Sequence, residues 1–527
     1  MHNRIGFALG ESPFAKSLEE RILHKHKNDG WDALVNRVIG LARRAESGRN
    51  DTDTEQHLAD FHHALKECRL LPNSPLLVNA GEEQERVFAC FAVDVRGPMT
   101  EVLPKIRFIH DGMGGTGYAV TGREKELIGL IQAIDQDTVA HQVGRPRPAS
   151  NAVTMPITGN LDAFLSVAGC LSVTNMNVAI DDSFMAKLDD DPGAMQQLGK
   201  IAKSIHQSGQ PGILFPDRLT KIALEENSTF AANVCGEAPL SADESAPLAS
   251  LNLVRFCHFD GERFARLDEA AFVRDVQIAT RFLDGIHDCH CHGSGTMKLN
   301  TMATRKIGIG VMGFAHALIL CGIQYGSPES EAFAERIAKL LMSTAQAESE
   351  RLAHKFGPYS AWSPEHGVPR RNAGLVAIAG TATLALIAGT TGGIEPMFSP
   401  VWSQRVIGKP VRLVDPIVLA MLVRHGLDRQ TTEARLLAGE SLRNVAGSEL
   451  ADLMPSALEV PGERHIAVQA AFQRHIDCGI TKTINCPSMT TTKQISDWIR
   501  LAYQAGCLGM TIYREGSLEN QPMGAAQ

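Results

Sequence analysis

The sequence predicts an α/β protein. Short apolar runs that read as strands alternate with longer segments of helical periodicity, and the composition is that of an ordinary folded chain. Of 527 residues, 44% are hydrophobic and 21% charged, enough apolar material for a large core. The net charge is −8 with no sustained basic run. That argues against a nucleic-acid polymer as partner and still admits a small phosphorylated ligand, which needs only local donors. The N-terminus has no basic stretch followed by a long apolar run. No signal peptide or membrane span is expected, and the expected location is cytoplasmic. Eleven cysteines without regular spacing fit a reducing compartment and mostly free thiols.

Taken in order, residues 16–68 read as helical, with Leu18, Ile22, Trp31, Leu34, Val38 and Leu41 near helical spacing and a break at residues 48–51. Leu71-Pro-Asn-Ser-Pro75 reads as a loop, since two prolines cannot sit inside one helix. Residues 86–95, 173–180 and 251–256 read as strands. Residues 182–206, 267–287, 328–355 and 496–505 read as helices. The tail after Gly516 is small and polar and is expected to be disordered.

Four segments could carry chemistry. In Asn233-Val-Cys235-Gly-Glu237, alternation on an extended loop aims an amide, a thiol and a carboxylate the same way. The competing reading is a loop with a buried cysteine. Cys90, within Phe88-Ala-Cys-Phe-Ala-Val93, reads from its neighbours as a small core residue. Asp111-Gly-Met-Gly-Gly-Thr-Gly-Tyr118 is either a phosphate-approaching glycine loop or a wide turn. In residues 375–396, an apolar run leads into Thr381, Ala382 and Thr383. Free backbone N–H groups at a helix start would bind phosphate there, or Thr would simply cap the helix.

Two other segments are set aside. Gly308-Ile-Gly310-Val-Met-Gly313 fits a dinucleotide fingerprint, but residues 298–306 before it are polar and broken and supply no strand. His287-Asp-Cys-His-Cys-His292 has ligand types suited to zinc. Adjacent side chains point apart, however, and no partner pair occurs elsewhere, so no metal site is assigned.

The motifs in order resemble the adenosylcobalamin-dependent ribonucleotide reductases. Those that carry the resemblance are Pro72-Asn-Ser-Pro75, Ala89-Cys-Phe91, Gly114-Gly-Thr-Gly-Tyr118, Asn175-Met-Asn177, Asn233-x-Cys-Gly-Glu237 and the Arg305–Gly313 segment. Ile394-Glu-Pro396, Lys482-Thr-Ile-Asn485 and the Gly509–Ser517 segment complete the set. The resemblance implies a helical N-terminal region over residues 1–70 and a ten-stranded α/β barrel with a central finger loop over 71–517. A disordered tail over 518–527 would follow. It implies a thiyl radical on Cys235 that abstracts the ribose 3′-hydrogen. Glu237 would act as base, Asn233 would bond the substrate hydroxyls, and Cys90 would face the 2′ side. Ser74, Ala89, Gly115, Thr381, Ala382 and Thr383 would contact the substrate. With no glycyl-radical segment, and Arg514 after Tyr513 where a radical relay needs a second tyrosine, the implied cofactor is adenosylcobalamin. The implied partner is a ribonucleotide, with a homodimer admitted.

The sequence departs from the family in two places. The cysteine expected to pair with Cys90 is Ala246, and the tail has no cysteine pair. Cys257 is the nearest thiol, but its odd spacing from 246 puts it on the other strand face. Fewer residues also separate Tyr118 from the next helix than in the family, which puts nucleotide-regulated control in doubt. The expectation is therefore ribonucleotide reduction with an external thiol or formate as reductant. The alternatives are a non-reductive radical conversion such as epimerisation or dehydration, and a catalytically silent nucleotide-binding paralogue.

Overall fold

A computed structural model describes residues 30–49, 51–142, 150–219, 230–406, 409–517 and 524–525. Its strands, in chain order, are β1 (Leu70–Pro72), β2 (Cys90–Ala92), β3 (Gly115–Ala119), β4 (Asn151–Pro156), β5 (Thr174–Ala179) and β6 (Gly212–Leu214). β7 (Phe230–Ala232), β8 (Pro239–Ser241), β9 (Glu244–Ala246), β10 (Leu248–Asn252), β11 (Cys257–His258) and β12 (Arg266–Leu267) follow. The last are β13 (Gly308–Met312), β14 (Val401–Val406), β15 (Lys409–Val414), β16 (Thr483–Cys486), β17 (Gly509–Arg514) and β18 (Gly524–Ala525).

The main sheet has the order β16-β17-β6-β5-β4-β3-β2-β9. Its middle, β2 to β6, is all parallel, with antiparallel neighbours β17 and β9 at the two sides. Parallel strands linked through helices are covered on both faces, which is why their side chains are almost continuously buried. A second sheet orders β1-β10-β13. The α/β class holds; among the described residues the ladder does not close on itself into the expected ten-stranded barrel, and beside these two sheets stand β7-β8, β11-β12 and β15-β14-β18. The gap is spanned by residues 375–378, which bond irregularly. Ile309 N–H donates to Leu375 O at 2.9 Å, Ala377 N–H to Ile309 O at 3.2 Å and Ile378 N–H to Gly479 O at 3.1 Å.

The helices Glu269–Ile286 and Pro328–Phe356 form as the periodicity predicts, each opened by a capping side chain, Asp268 and Ser327. The stretch 182–206 is two helices, because Pro192 starts a new one, Pro192–Ser208, capped by Asp191. Residues 16–29 of the first helical stretch lie outside the described residues. The rest forms Trp31–Glu46 and Thr54–Lys66, with Leu34, Val38 and Leu41 buried. Residues 71–75 are not a loop. Pro72 ends β1, Asn73 caps the helix Ser74–Asn79, and Pro75 occupies its first turn, where its missing N–H costs little. Residues 251–256 split between the end of β10 and a 3-10 turn, Leu253–Phe256. Of the tail, Gly524–Ala525 pairs with Trp402 and Ser403, and the remainder after Ser517 lies outside the described residues. No helix among the described residues is long and apolar enough to cross a membrane.

Of the dinucleotide-like glycines, Gly308 and Gly310 lie in β13 and Gly313 opens the helix Phe314–Leu320, while residues 298–306 fall mostly in the helix Gly295–Thr304. A Cβ on Gly308 would come within 2.0 Å of Leu248 Cδ2, and one on Gly310 within 2.7 Å of Ala377 O. These glycines serve close packing between strands. The same holds for β3, where the expected glycine loop lies. β7 and β8 pair as a hairpin whose connecting loop, residues 233–238, runs across β3. A Cβ on Gly117 would stand 1.8 Å from Ala232 O, and one on Gly115 2.5 Å from Val234 Cγ1. The glycines of β3 are thus the groove in which the finger is seated. Gly117→Ala is expected to unseat the finger and to cost about 1–3 kcal/mol or more of stability, since the obstacle is backbone. Urea unfolding at equilibrium checks this, and an unchanged midpoint would contradict the close approach.

Candidate active site

The finger brings its polar residues into a dry interior. Asn233 and Glu237 are 0% and 2% exposed, and Cys90, on β2, is 3% exposed. Asn233 uses both amide hydrogens. Its Nδ2 donates to Cys90 Sγ at 2.9 Å and to Glu237 Oε1 at 2.9 Å. Its Oδ1 accepts from Ala238 N at 3.0 Å, which locks the amide orientation. The Cys90 thiol lies 3.8 Å from Glu237 Oε1, to which it donates. Gly236, with φ of +82°, makes the reversal that lets Asn233 and Glu237 meet.

Thr481 completes the cluster. Its hydroxyl donates to Glu237 Oε2 at 2.7 Å and stands 3.2 Å from the carbonyl oxygen of Cys235. Next to it, Gly479 N–H donates to Glu237 O at 2.7 Å. Sequence reasoning missed Thr481. Its only signal was adjacency to the Lys482-Thr-Ile-Asn485 motif, and that motif explains the rigidity here. Lys482, fully buried, donates to Glu395 Oε2 at 2.5 Å, to His465 Nδ1 at 2.7 Å and to Thr483 O at 2.7 Å. Glu395 in turn accepts from Thr483 N at 2.7 Å. The Ile394-Glu-Pro396 and Lys482-Thr-Ile-Asn485 segments are thereby one buried ion-paired unit behind Thr481.

Burial raises the Glu237 carboxyl, while bonds from Thr481 and Asn233 pull it back. Burial, then the negative charge of Glu237, holds the Cys90 thiol well above its ordinary range. The thiol thus keeps its proton, and the carboxyl is raised by burial against bonds that favour its charged form. Cys235 differs from both. It is exposed at the finger tip, not buried as the competing sequence reading has it. The tip projects beyond the buried Asn233 and Glu237 because it sits at the turn of the loop.

The remaining predicted residues are arranged around this cluster. Gly115 N–H donates to Ala89 O at 2.9 Å beside Cys90, and the position a Gly115 side chain would take is filled by Val234. Thr381 has φ of +48°, and its hydroxyl accepts from Gly393 N at 2.8 Å instead of capping its helix. Thr381 and Thr383 are half-buried and Ala382 is exposed. A Cβ on Gly380 would lie 3.2 Å from Thr481 Cγ2, so the 380–383 turn borders the cluster. Ser74 is buried at the first turn of Ser74–Asn79. Across the β2–β9 ladder, Cys90 faces Ala246 directly. Cys257 belongs elsewhere, on the β11–β12 ribbon, where its thiol contacts Leu253 O at 3.5 Å and hydrogen-bonds the Cys321 thiol. None of the eleven cysteines is in a disulfide. His287, His290 and His292 surround Phe88, with His290 stacked at 3.8 Å between ring centroids and Val87 N–H donating to its Nδ1 at 3.1 Å. They brace the segment that leads into Cys90.

Alkylation of the native protein at mildly alkaline pH is expected to mark Cys235 and to leave Cys90 unmodified until unfolding, since the thiolate is the nucleophile. Peptide mass mapping checks this, and early labelling of Cys90 would contradict its buried, protonated state.

A cluster of this composition can hold a hydroxyl proton acceptor beside a thiol acid, under a second, accessible thiol. Comparison with known proteins agrees in kind. The family described as "Ribonucleotide reductase, barrel domain" matches residues 193–370 and 364–513. A vitamin B12-dependent ribonucleoside-diphosphate reductase of Mycobacterium tuberculosis is 28% identical, over 96% of this chain and 80% of its own. One of Thermoplasma acidophilum is 29% identical over 88% of this chain and 66% of its own. Among solved structures, the class Id ribonucleotide reductase alpha subunit of Actinobacillus ureae superposes with a TM-score of 0.78 at 20% identity. That superposition covers 96% of this chain and 97% of the other, and it speaks for the fold. The chain belongs to the ribonucleotide reductase barrel-domain family.

Proposed function

We propose that this chain is an adenosylcobalamin-dependent ribonucleotide reductase that draws its electrons from a small external reductant. The observation that carries the reading is the Asn233–Glu237–Cys90 cluster under Cys235, with Ala246 opposite Cys90. We read the two sheets, joined through residues 375–378, as the walls of the ten-stranded barrel expected from the sequence. Residues 380–383 and Ser74 would hold the substrate phosphate.

The site fits the cofactor in one respect: the Cys235 thiol is exposed while the groups beneath it are buried, so a radical source can approach it from outside. Adenosylcobalamin, when bound, supplies the homolysis that oxidises this thiol to a thiyl. The thiyl takes the 3′-hydrogen atom of the ribose. Glu237 accepts the 3′-hydroxyl proton, oriented by Asn233 at one oxygen and Thr481 at the other. Cys90 keeps its proton at neutral pH and donates it to the departing 2′-hydroxyl, which leaves as water. Completing the reduction takes two electrons. Two thiols across β2 and β9 would give them by forming a disulfide, and Ala246 removes that route. The side chains packed with Cys90 include Ala92, Ala119, Ala238 and Ala246 together with Leu240 and Leu248. The candidates to supply the two electrons are formate, which leaves as carbon dioxide, and an external thiol.

Anaerobic incubation with adenosylcobalamin, each ribonucleoside di- or triphosphate, and formate or dithiothreitol tests the reading. A deoxyribonucleotide product that depends on the added reductant is expected. Cofactor cleavage with only an epimer or a dehydrated product would instead favour the non-reductive conversion that Ala246 also permits. No cleavage with any nucleotide would sink both. Cys235→Ser is expected to abolish turnover, and Glu237→Gln to lower kcat about 10²–10⁴-fold. Ala246→Cys places a thiol at a cross-strand position of disulfide geometry. This variant is expected to give one turnover without added reductant and to end with a 90–246 disulfide, detectable by peptide mapping. Product formed without that bridge would count against the assignment of Cys90.

A further inference from the structure

We infer that Thr481 is the positioning residue that matches the site to both protonation states of Glu237 and ties that change to the backbone of Cys235. The inference rests on Glu237 as the proton acceptor of the reading above. Its structural ground is separate.

A hydroxyl is one donor and a two-lone-pair acceptor, and its hydrogen rotates to suit. Thr481 Oγ1 lies 2.7 Å from Glu237 Oε2 and 3.2 Å from Cys235 O. With Glu237 ionised, Thr481 donates to the carboxylate, a short charge-assisted bond in a dry site. Once Glu237 has gained a proton, Oε2–H donates to Thr481. The hydroxyl hydrogen then turns to the Cys235 carbonyl, the other acceptor that Thr481 Oγ1 contacts. No proton is lost or gained by Thr481 in the exchange. Glu237 Oε1 is already committed to Asn233 and Cys90. Oε2 is therefore the oxygen at which a proton can be held and released without disturbing the thiol.

The hydroxyl is held in place from several sides. Thr481 N–H donates to Ile378 O at 2.8 Å, and its Cγ2 packs against Gly380 of the turn that borders the cluster. Lys482, the next residue, is immobilised by three bonds. Gly479 lies against the finger backbone: an added Cβ would stand 2.8 Å from Gly236 O, and the Gly479 N–H donates to Glu237 O at 2.7 Å. Glu237, Cys235 and the 380–383 turn share one contact, and it is Thr481.

The test is a titration of Glu237 by infrared difference spectroscopy, with the protonated-carboxyl band assigned by its loss in Glu237→Gln. In Thr481→Val the ionised form loses a charge-assisted bond and the protonated form only a weaker neutral one, while shape is nearly kept. The midpoint is expected to rise by about one to two pH units, a roughly ten- to hundred-fold gain in proton affinity. Thr481→Ser should return most of the shift, and Thr481→Ala serves if the valine variant does not fold. An unchanged midpoint in a folded variant lacking the hydroxyl overturns the inference. The acid limb of the kcat/KM profile for ribonucleotide should move with the midpoint, with activity recovered above it. A purely structural role would lower activity at every pH alike. A shifted midpoint with an unmoved acid limb would leave the Thr481 contact standing and remove Glu237 as the base.

Discussion

The close passage of the finger across β3 is the constraint on which the rest depends. A backbone carbonyl, Ala232 O, sits where a side chain on Gly117 would begin. Only a strand without Cβ atoms at that point can admit another chain segment through the interior. Gly115 makes the same allowance for Val234, and Gly479 for the backbone of Gly236. Two positions on β3 and a third far later in the chain thus give up side-chain packing to seat a six-residue loop. The entropy cost of glycine in strands is the corollary.

Seating a polar loop in a dry interior makes its hydrogen bonds obligatory, because an unpaired buried donor or acceptor costs about 1–3 kcal/mol. The finger meets that demand internally through Asn233 and Ala238, and externally through Gly479 and Thr481. Its base is held by a second buried ion pair. Lys306 Nζ donates to Glu244 Oε2 at 3.0 Å and to Pro239 O at 3.0 Å, both partners of the pair being almost fully buried. Ser241 N–H also donates to Glu244 Oε2, at 2.6 Å. Pairs of this kind add little net stability, but removing one partner leaves an uncompensated charge. Lys306–Glu244 on one side and Lys482–Glu395 on the other therefore define one position for the finger.

Much of this was legible in the sequence, and the parts that were not share a cause. The helices Glu269–Ile286 and Pro328–Phe356 carry their own caps and apolar faces, so local pattern sufficed. The helix Gly295–Thr304 was hidden because its buried face is only Met297, Thr301 and Thr304, which reads as polar and broken. The 71–75 segment misled because prolines at a strand end and at a helix start look like a loop in one dimension. The glycines of β3 and β13 suggested ligand loops. Their role is to admit other backbone, a long-range fact with no local signature. In the cluster, the spacing of Asn233, Cys235 and Glu237 was visible as a motif. Cys90 entered through resemblance, and Thr481 through neither, since a single hydroxyl beside a lysine motif has no distinguishing pattern.

The burial of Cys90 and Glu237 bears on how two acids of different type divide their work. Desolvation raises both. What separates them is the bonding available to the charged forms. Glu237 receives Asn233, Thr481 and its own backbone, while Cys90 receives only Asn233 and faces the charge of Glu237. The same amide serves both groups, so any motion of Asn233 that weakens one weakens the other. Across 3.8 Å the thiol therefore keeps its proton, while the carboxyl, also raised by burial, has bonds that support its charged form. Ala246 does not disturb that division, because it removes no charge and no hydrogen bond from the pair. On the proposed reading it would alter only the supply of electrons and leave the bonded pair as it stands.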